Sequence, residues 1–303
     1  MRVTPLFSRT LILHGLLPVG LCLTAAGCAV KSETRISPAA LPPPALEASA
    51  ADLIGKINTQ SATIRTLVAT VQLEPTAGSV YSGVIKEYRD VRGFVLLEKP
   101  RLIRMLGQAP VVRTTIFDMV SDGRDFRLSI PPKNKFLVGK NDFRRAARNS
   151  LENLRPQHIL DALLVPACDA EKEKFVLEEA EEAARRFYVL SVLEALSNGD
   201  LALKRKVWFD RANLEVARLQ LYGPRGSYIE DVRYVGYQDF AGVAFPRRIE
   251  IARPIEDYRL AIRIEKATFN QPITPDKFEL KKPEGAELVE LGERSPKEDS
   301  RDQ

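Results

Sequence analysis

The chain has 303 residues, 45 Lys and Arg against 40 Asp and Glu, and a formal net charge of +5. Charged residues make up 28% with both signs mixed, an ordinary solvated surface without the basic stripe that binds nucleic acid. Two His and three Cys leave little for a His/Cys metal centre or a Ser-His-Asp triad, so no metal, cofactor or catalytic residue is expected and the chain reads as a binding protein, not an enzyme.

Arg2 and Arg9 precede an apolar run over 11–23 that ends in Leu23-Thr24-Ala25-Ala26-Gly27-Cys28. A cationic start, an apolar stretch and a small-residue cleavage site make residues 1–27 a secretory signal peptide. The run is shorter than the ~20 apolar residues of a membrane span, and His14, Gly15, Pro18 and Gly20 interrupt it. Small residues followed directly by Cys resemble the lipobox of bacterial lipoproteins, with Ala25 where a large aliphatic residue is usual. The resemblance implies that Cys28 is the first mature residue and carries acyl chains such as palmitate. Each buried methylene of that anchor contributes about 0.8 kcal/mol of membrane binding. Cys22 leaves with the signal and Cys28 is lipidated, which leaves Cys168 without an intramolecular disulfide partner.

Residues 28–46, with Pro38 and Pro42-Pro43-Pro44, form an extended linker. Over 47–66 the apolar residues Leu53, Ile54, Ile57 and Ile64 recur at helical spacing. The period then changes to two: Leu67, Ala69, Val71 and Leu73 alternate with more polar neighbours, as in a half-buried strand. Further strands are expected at 84–89, 94–98, 102–106, 114–120, 126–130 and 135–138, with a turn at Ser121-Asp122-Gly123. Their short connections predict antiparallel neighbours. Residues 142–164 read as helical, divided by Pro156. Strands resume at 175–178, 187–192, 201–209, 214–222, 228–237, 244–251, 258–269 and 278–280, with Asn198-Gly199 as the strongest hairpin signal. The tail 292–303 is polar. Roughly a dozen strands make a sheet large enough to curl, with the helical segments as its filling or lid.

In this order stand Glu98-Lys99-Pro100-Arg101-Leu102-Ile103-Arg104, Val120-Ser121-Asp122-Gly123, Val207-Trp208-Phe209-Asp210, Pro275-Asp276-Lys277-Phe278-Glu279-Leu280 and Pro283-Glu284-Gly285. Over residues 47–291 the chain resembles the LolA/LolB superfamily of periplasmic lipoprotein carriers and their lipidated receptor. The resemblance implies a mainly β fold, an open, incomplete antiparallel β-barrel of about eleven strands, with helices plugging or covering the concave face. It implies an apolar cavity for the acyl chains of lipoproteins or other lipids, hand-over to the outer membrane, and, with Ala29 after the lipidated Cys28, a lipid-anchored address on the outer membrane facing the periplasm. The family's receptor inserts an apolar loop residue into the membrane; Val111-Val112 after Pro110 is the nearest counterpart. Because one fold hosts several functions, an envelope sensor or assembly adaptor that binds a periplasmic protein partner is the alternative.

Alternation proposes inward-facing cavity residues: Leu67, Val71, Phe94, Leu96, Leu102, Phe117, Phe126, Leu128, Val189, Val207, Phe209, Ile262 and Ile264. Arg101 and Arg104, in the family motif, are the candidates for a lipid head group. Asp118 with Asp122 is too sparse an oxygen set for a cation and reads as a satisfied turn.

Overall fold

The computed structural model describes residues 44–77, 86–87, 91–141, 156–223 and 226–291. Cys28 with its signal and most of its linker, the first half of the 142–164 segment and the tail lie outside them. Helix α1 (Ala50–Thr63) starts where the sequence supplies a cap. The Ser49 hydroxyl accepts from the Asp52 N–H at 3.2 Å, and the Asp52 carboxylate accepts from the Ser49 N–H at 2.9 Å. This reciprocal box satisfies two donors that the first turn would otherwise orphan.

The strands are β1 (Thr66–Ala77), β2 (Lys86–Glu87), β3 (Val91–Glu98), β4 (Leu102–Gln108), β5 (Thr115–Ser121), β6 (Asp125–Ile130) and β7 (Lys135–Lys140). After α2 (Pro156–Leu163) follow β8 (Glu173–Glu182), β9 (Arg185–Ala195), β10 (Leu201–Asp210), β11 (Val216–Tyr222), β12 (Tyr228–Phe240), β13 (Val243–Arg253), β14 (Tyr258–Phe269) and β15 (Glu287–Leu291). Pro156 opens α2, a position where its missing N–H costs nothing. Turn chemistry follows the sequence signals. Gly123 and Gly199 take φ of +91° and +88°, a region open to glycine at no steric cost. Asp122 and Asn198 fold their side chains back onto the N–H groups that follow.

The fifteen strands among the described residues belong to one sheet, in the order β15-β7-β6-β5-β4-β3-β1-β14-β13-β12-β11-β10-β9-β8, with β2 on β1. Two meanders thus meet at the β1–β14 pair, and β8 and β15 form the unjoined ends, so the architecture is an open, mainly β sheet. One expectation fails at the end of the chain. Residues 275–278 form a 3-10 turn and 279–280 are irregular where a strand is expected over 278–280, and β15 pairs parallel to β7. Pro272, Pro275 and Pro283 lack the N–H that a ladder needs. The segment instead lies along β4, where the Arg104 Nη1 donates to the Lys277 carbonyl at 2.9 Å.

The curl follows from what α2 touches. This helix packs on β4, β5 and β13, and β4 and β13 are separated in the sheet by β3, β1 and β14. At about 4.8 Å per strand the gap across a flat sheet is nearly 20 Å, whereas a helix is about 10 Å wide. The sheet therefore wraps around the helix. One contiguous core results, joining Leu53 and Ile57 of α1, Ile159, Leu160 and Leu163 of α2, and strand residues from β1 through β14.

Candidate functional site

The inner face is built largely by alternation, cleanest on β3 and β4. Leu67 and Val71 on β1, Phe117 on β5, Phe126 and Leu128 on β6, Val207 and Phe209 on β10, and Ile262 and Ile264 on β14 all belong to the core under the helices. None is more than 4% exposed, so the wall is covered by the protein's own side chains. Two glycines make room for it. A Cβ on Gly107 would sit 2.3 Å from the Phe117 ring, and one on Gly93 would sit 2.7 Å from the Val71 side chain.

Four expected wall residues face the other way. On β3 the buried positions are Val91, Gly93, Val95 and Leu97, which puts Phe94 and Leu96 on the outer face; Leu102 alternates with buried Ile103 and Met105. Val207 and Phe209 pair with Leu190 and Tyr188, whereas Val189 pairs with outward-facing Trp208. The cause is apolar residues at both parities of these strands, which hides the period. The outer face is itself organised: Arg92 lies over the Phe94 ring, and Trp208 packs edge-on to Phe187 beneath Arg218.

The two arginines also differ from their expected role. Arg104 is held on the outer face by a bidentate bond to Asp118, at 3.0 and 2.6 Å, and by its bond to Lys277, a clamp on the returning segment instead of an open cation. Arg101 is exposed, with its stem against Gly123. Asp118 is thereby accounted for as an ion-pair partner and Asp122 as a turn former. Val111 and Val112, at the β4–β5 turn, are 87% and 71% exposed.

The helices are held unequally. Near the start of α1, Leu46 donates to the Arg211 carbonyl, and Glu47 accepts from Arg211 and the Tyr188 hydroxyl. In its middle, Asn58 exchanges two bonds with the backbone of Cys168, at 3.1 and 2.7 Å. At its end Lys99 donates to the Ser61 carbonyl, and Asn270 brackets Thr63 and Arg65. Helix α2 is held by Ile159, Leu160 and Leu163 in the core and by the Tyr234 hydroxyl, which donates to the Ala162 carbonyl at 2.9 Å. Its exit segment is fixed. Arg205, 3% exposed, bonds Glu173 through both Nη atoms at 2.9 Å and the Ala167 carbonyl at 3.1 Å. Burial pushes the neighbouring Cys168 thiol up; it is a packed core residue.

A second buried charge cluster stands beside α2 and was absent from the sequence reading. Glu230 on β12 is fully buried and accepts from Arg253 on β13, whose other Nη bonds Glu256 at 2.8 Å. Burial pushes Glu230 up to about 7 against the pull of Arg253, with help from Asp161 and Glu256. Asp161 on α2 rises to about 6, again by burial, opposed by the Gln157 amide and Arg253. The signal was present in the strands: Arg253 continues the inward series Ile249, Ile251, and Glu230 precedes Val232 and Tyr234. Arg205 likewise precedes Val207 and Phe209. A charge at core parity marks such a site.

Between the ends of the two helices a small cavity of about 20 Å³ is lined by Ile64, Lys99, Leu163, Tyr234 and Phe245 among others. It is about one water probe in size, far short of an acyl chain. A larger cavity of about 330 Å³ opens beside Arg185, Asp210, Glu215, Val216, Tyr234 and Tyr237, with a largely polar rim.

No protein-family model and no curated protein matches the chain. Among solved structures it is similar to a DUF1329 family protein from Desulfovibrio piger, with 14% identity, TM-score 0.49, and 75% of this chain and 95% of that chain covered. It is similar also to a putative outer membrane lipoprotein-sorting protein domain from Vibrio parahaemolyticus, with 12% identity, TM-score 0.48, and 75% and 94% covered. A LolA superfamily protein from Nitrosomonas europaea has 15% identity, TM-score 0.46, and 75% and 97% covered.

Proposed function

We propose that the chain is an envelope lipoprotein, anchored in the outer membrane through lipidated Cys28 and facing the periplasm, that takes up acyl chains of lipoproteins or other lipids on its inner face and passes them to that membrane. The observation that carries this reading is the largely apolar inner wall covered by α2, interrupted by the two buried charge clusters. Undocking α2 uncovers its five buried residues, Pro156, Ile159, Leu160, Ala162 and Leu163, at roughly 6–12 kcal/mol. A sixteen-carbon chain entering the same space recovers about 12 kcal/mol at about 0.8 per methylene. The apolar burial offered by one acyl chain is thus comparable with that of α2. Helix α1 has its own core residues and three sets of polar bonds besides, so α2 is the gate and α1 the fixed wall. The exit segment at Ala167 and Cys168, pinned by Arg205 and Asn58, is the pivot. Val111 and Val112 are the apolar tip that meets the membrane at hand-over.

The test is titration of the folded chain, without its signal and with Cys28→Ser, using a fluorescent sixteen-carbon fatty acid, followed by hydrogen exchange. Saturable uptake with loss of protection over 156–163 and retained protection over 50–63 is the expected result. Absence of uptake, or uptake that leaves α2 protected, overturns the reading. An empty barrel that copurifies with a stoichiometric protein would point to the sensor or adaptor.

A further inference from the structure

The charge cluster beside α2 has no part in binding an apolar chain, and its composition is unbalanced. Three carboxylates, Asp161, Glu230 and Glu256, face one guanidinium, Arg253. The Glu230–Arg253 pair is almost wholly withdrawn from water, at 0% and 5% side-chain exposure. Within it one Glu230 carboxylate oxygen, the Arg253 Nε and the nearby Tyr258 hydroxyl are buried without a hydrogen-bond partner. Among the described residues one guanidinium faces one fully buried carboxylate, Glu230, and two partly buried ones, Asp161 and Glu256, and with all three ionised the cluster holds surplus negative charge in a site of low dielectric. Its members come from different elements: Asp161, with Gln157 and His158, from α2; Glu230 and Tyr234 from β12; Arg253 from β13; Glu256 from the turn; Tyr258 from β14. On β4 and β5 the core-facing residues are Ile103, Met105, Phe117 and Met119, which offer no compensating charge.

We infer that the docked position of α2 is proton-coupled: the closed form retains a proton on the Asp161 and Glu230 carboxyls beside Arg253, and its loss drives α2 off the sheet. The sign follows from linkage. In the closed form Asp161 and Glu230 titrate near 6 and 7. In the open form Asp161 returns to water and to an ordinary carboxylate range. Docking therefore binds a proton, closure is strongest in acid, and the opening equilibrium rises with pH until both closed-state groups have ionised. Each group protonated only in the closed form raises the opening about tenfold per pH unit across that interval. This is regulation of the proposed acyl site and rests on that reading for its biological meaning, although the helix motion is measurable without lipid.

The experiment is hydrogen exchange of the lipid-free protein from pH 5.5 to pH 8, corrected for intrinsic exchange, comparing 156–163 with the strands β12–β14. Opening of α2 should rise by tenfold or more while the strands stay protected. Asp161→Asn should flatten the profile, and Glu230→Gln should flatten it independently. If Glu230→Gln fails to fold, Asp161→Asn, at a half-buried position, carries the test alone. A pH-independent α2, or an equal slope in Asp161→Asn, overturns the inference. The proton gate holding while the fatty acid binds at no pH would refute acyl binding alone; acyl binding with a flat α2 profile would refute the gate alone.

Discussion

Replacing Arg205 with Leu tests whether the inner-face charges hold the plug and its pivot. Arg205 and Glu173 are 3% and 4% exposed, joined by two bonds of 2.9 Å, and Arg205 also reaches the Ala167 carbonyl. Removing one partner of a buried pair costs about 3–5 kcal/mol because the other charge is stranded. Here Lys204 Nζ stands 3.1 Å from Glu173 and is 44% exposed, which leaves partial compensation and sets the expectation near 3 kcal/mol. At a urea slope of roughly 2–3 kcal/mol per molar for a chain of this size, the midpoint should fall by about 1 M. Trp208, the only tryptophan, reports from β10, three residues from Arg205. Urea unfolding of Arg205→Leu, Glu173→Leu and the double variant completes a cycle. The double variant should recover most of the loss, since paired apolar replacement removes both desolvation costs. A single variant within about 0.5 kcal/mol of the parent, or a double variant as unstable as the worse single, refutes the reasoning.

Gly107→Ala should destabilise by about 1–3 kcal/mol through overpacking on the Phe117 ring, and Phe117→Leu should restore part of it; thermal melts of the pair decide. The Glu173 carboxylate, which burial would raise, is held below its usual value by Arg205, the Asp169 N–H and Lys204. A depressed acid contributes stability above its unfolded pKa and loses it as pH falls through the folded one. Unfolding below pH 4.5 should therefore be steeper in the parent than in Glu173→Gln, opposite in sign to the effect of Glu230; acid titrations by circular dichroism test it. Val111→Asp with Val112→Asp should leave acyl uptake intact and slow transfer to phospholipid vesicles severalfold, because two exposed apolar side chains at the β4–β5 turn become anions; a rate equal to the parent's would remove that turn from the mechanism.

Elements with one clean period were legible in the sequence. Leu67 and Val71 lie on the inner face as the period of two over 67–73 places them, the apolar spacing of Leu53 and Ile57 marks α1, and Pro156, read as dividing a helical segment, opens α2. The β3 strand was misread because Val95, Phe94, Leu96 and Leu97 are apolar at both parities, and the inward one carries Gly93, chosen for space. What makes an outer apolar face tolerable along β4 is the 275–278 segment, a contact between residues over 170 apart (Arg104 and Lys277) that no local pattern encodes. The parallel pairing of β15 is equally non-local. The charge clusters were present as Arg205, Glu230 and Arg253 at core parity. Each has its partner on another element, so only the fold brings Glu173 and Asp161 to them.

The central claim is most directly tested by mass spectrometry of organic extracts from the folded protein, expressed without its signal and with Cys28→Ser. Acyl lipid bound near one per chain is the predicted result, and its identity names the cargo. A folded, lipid-free protein that also takes up no added sixteen-carbon chain would contradict the account and leave the barrel as a core filled by its own helices.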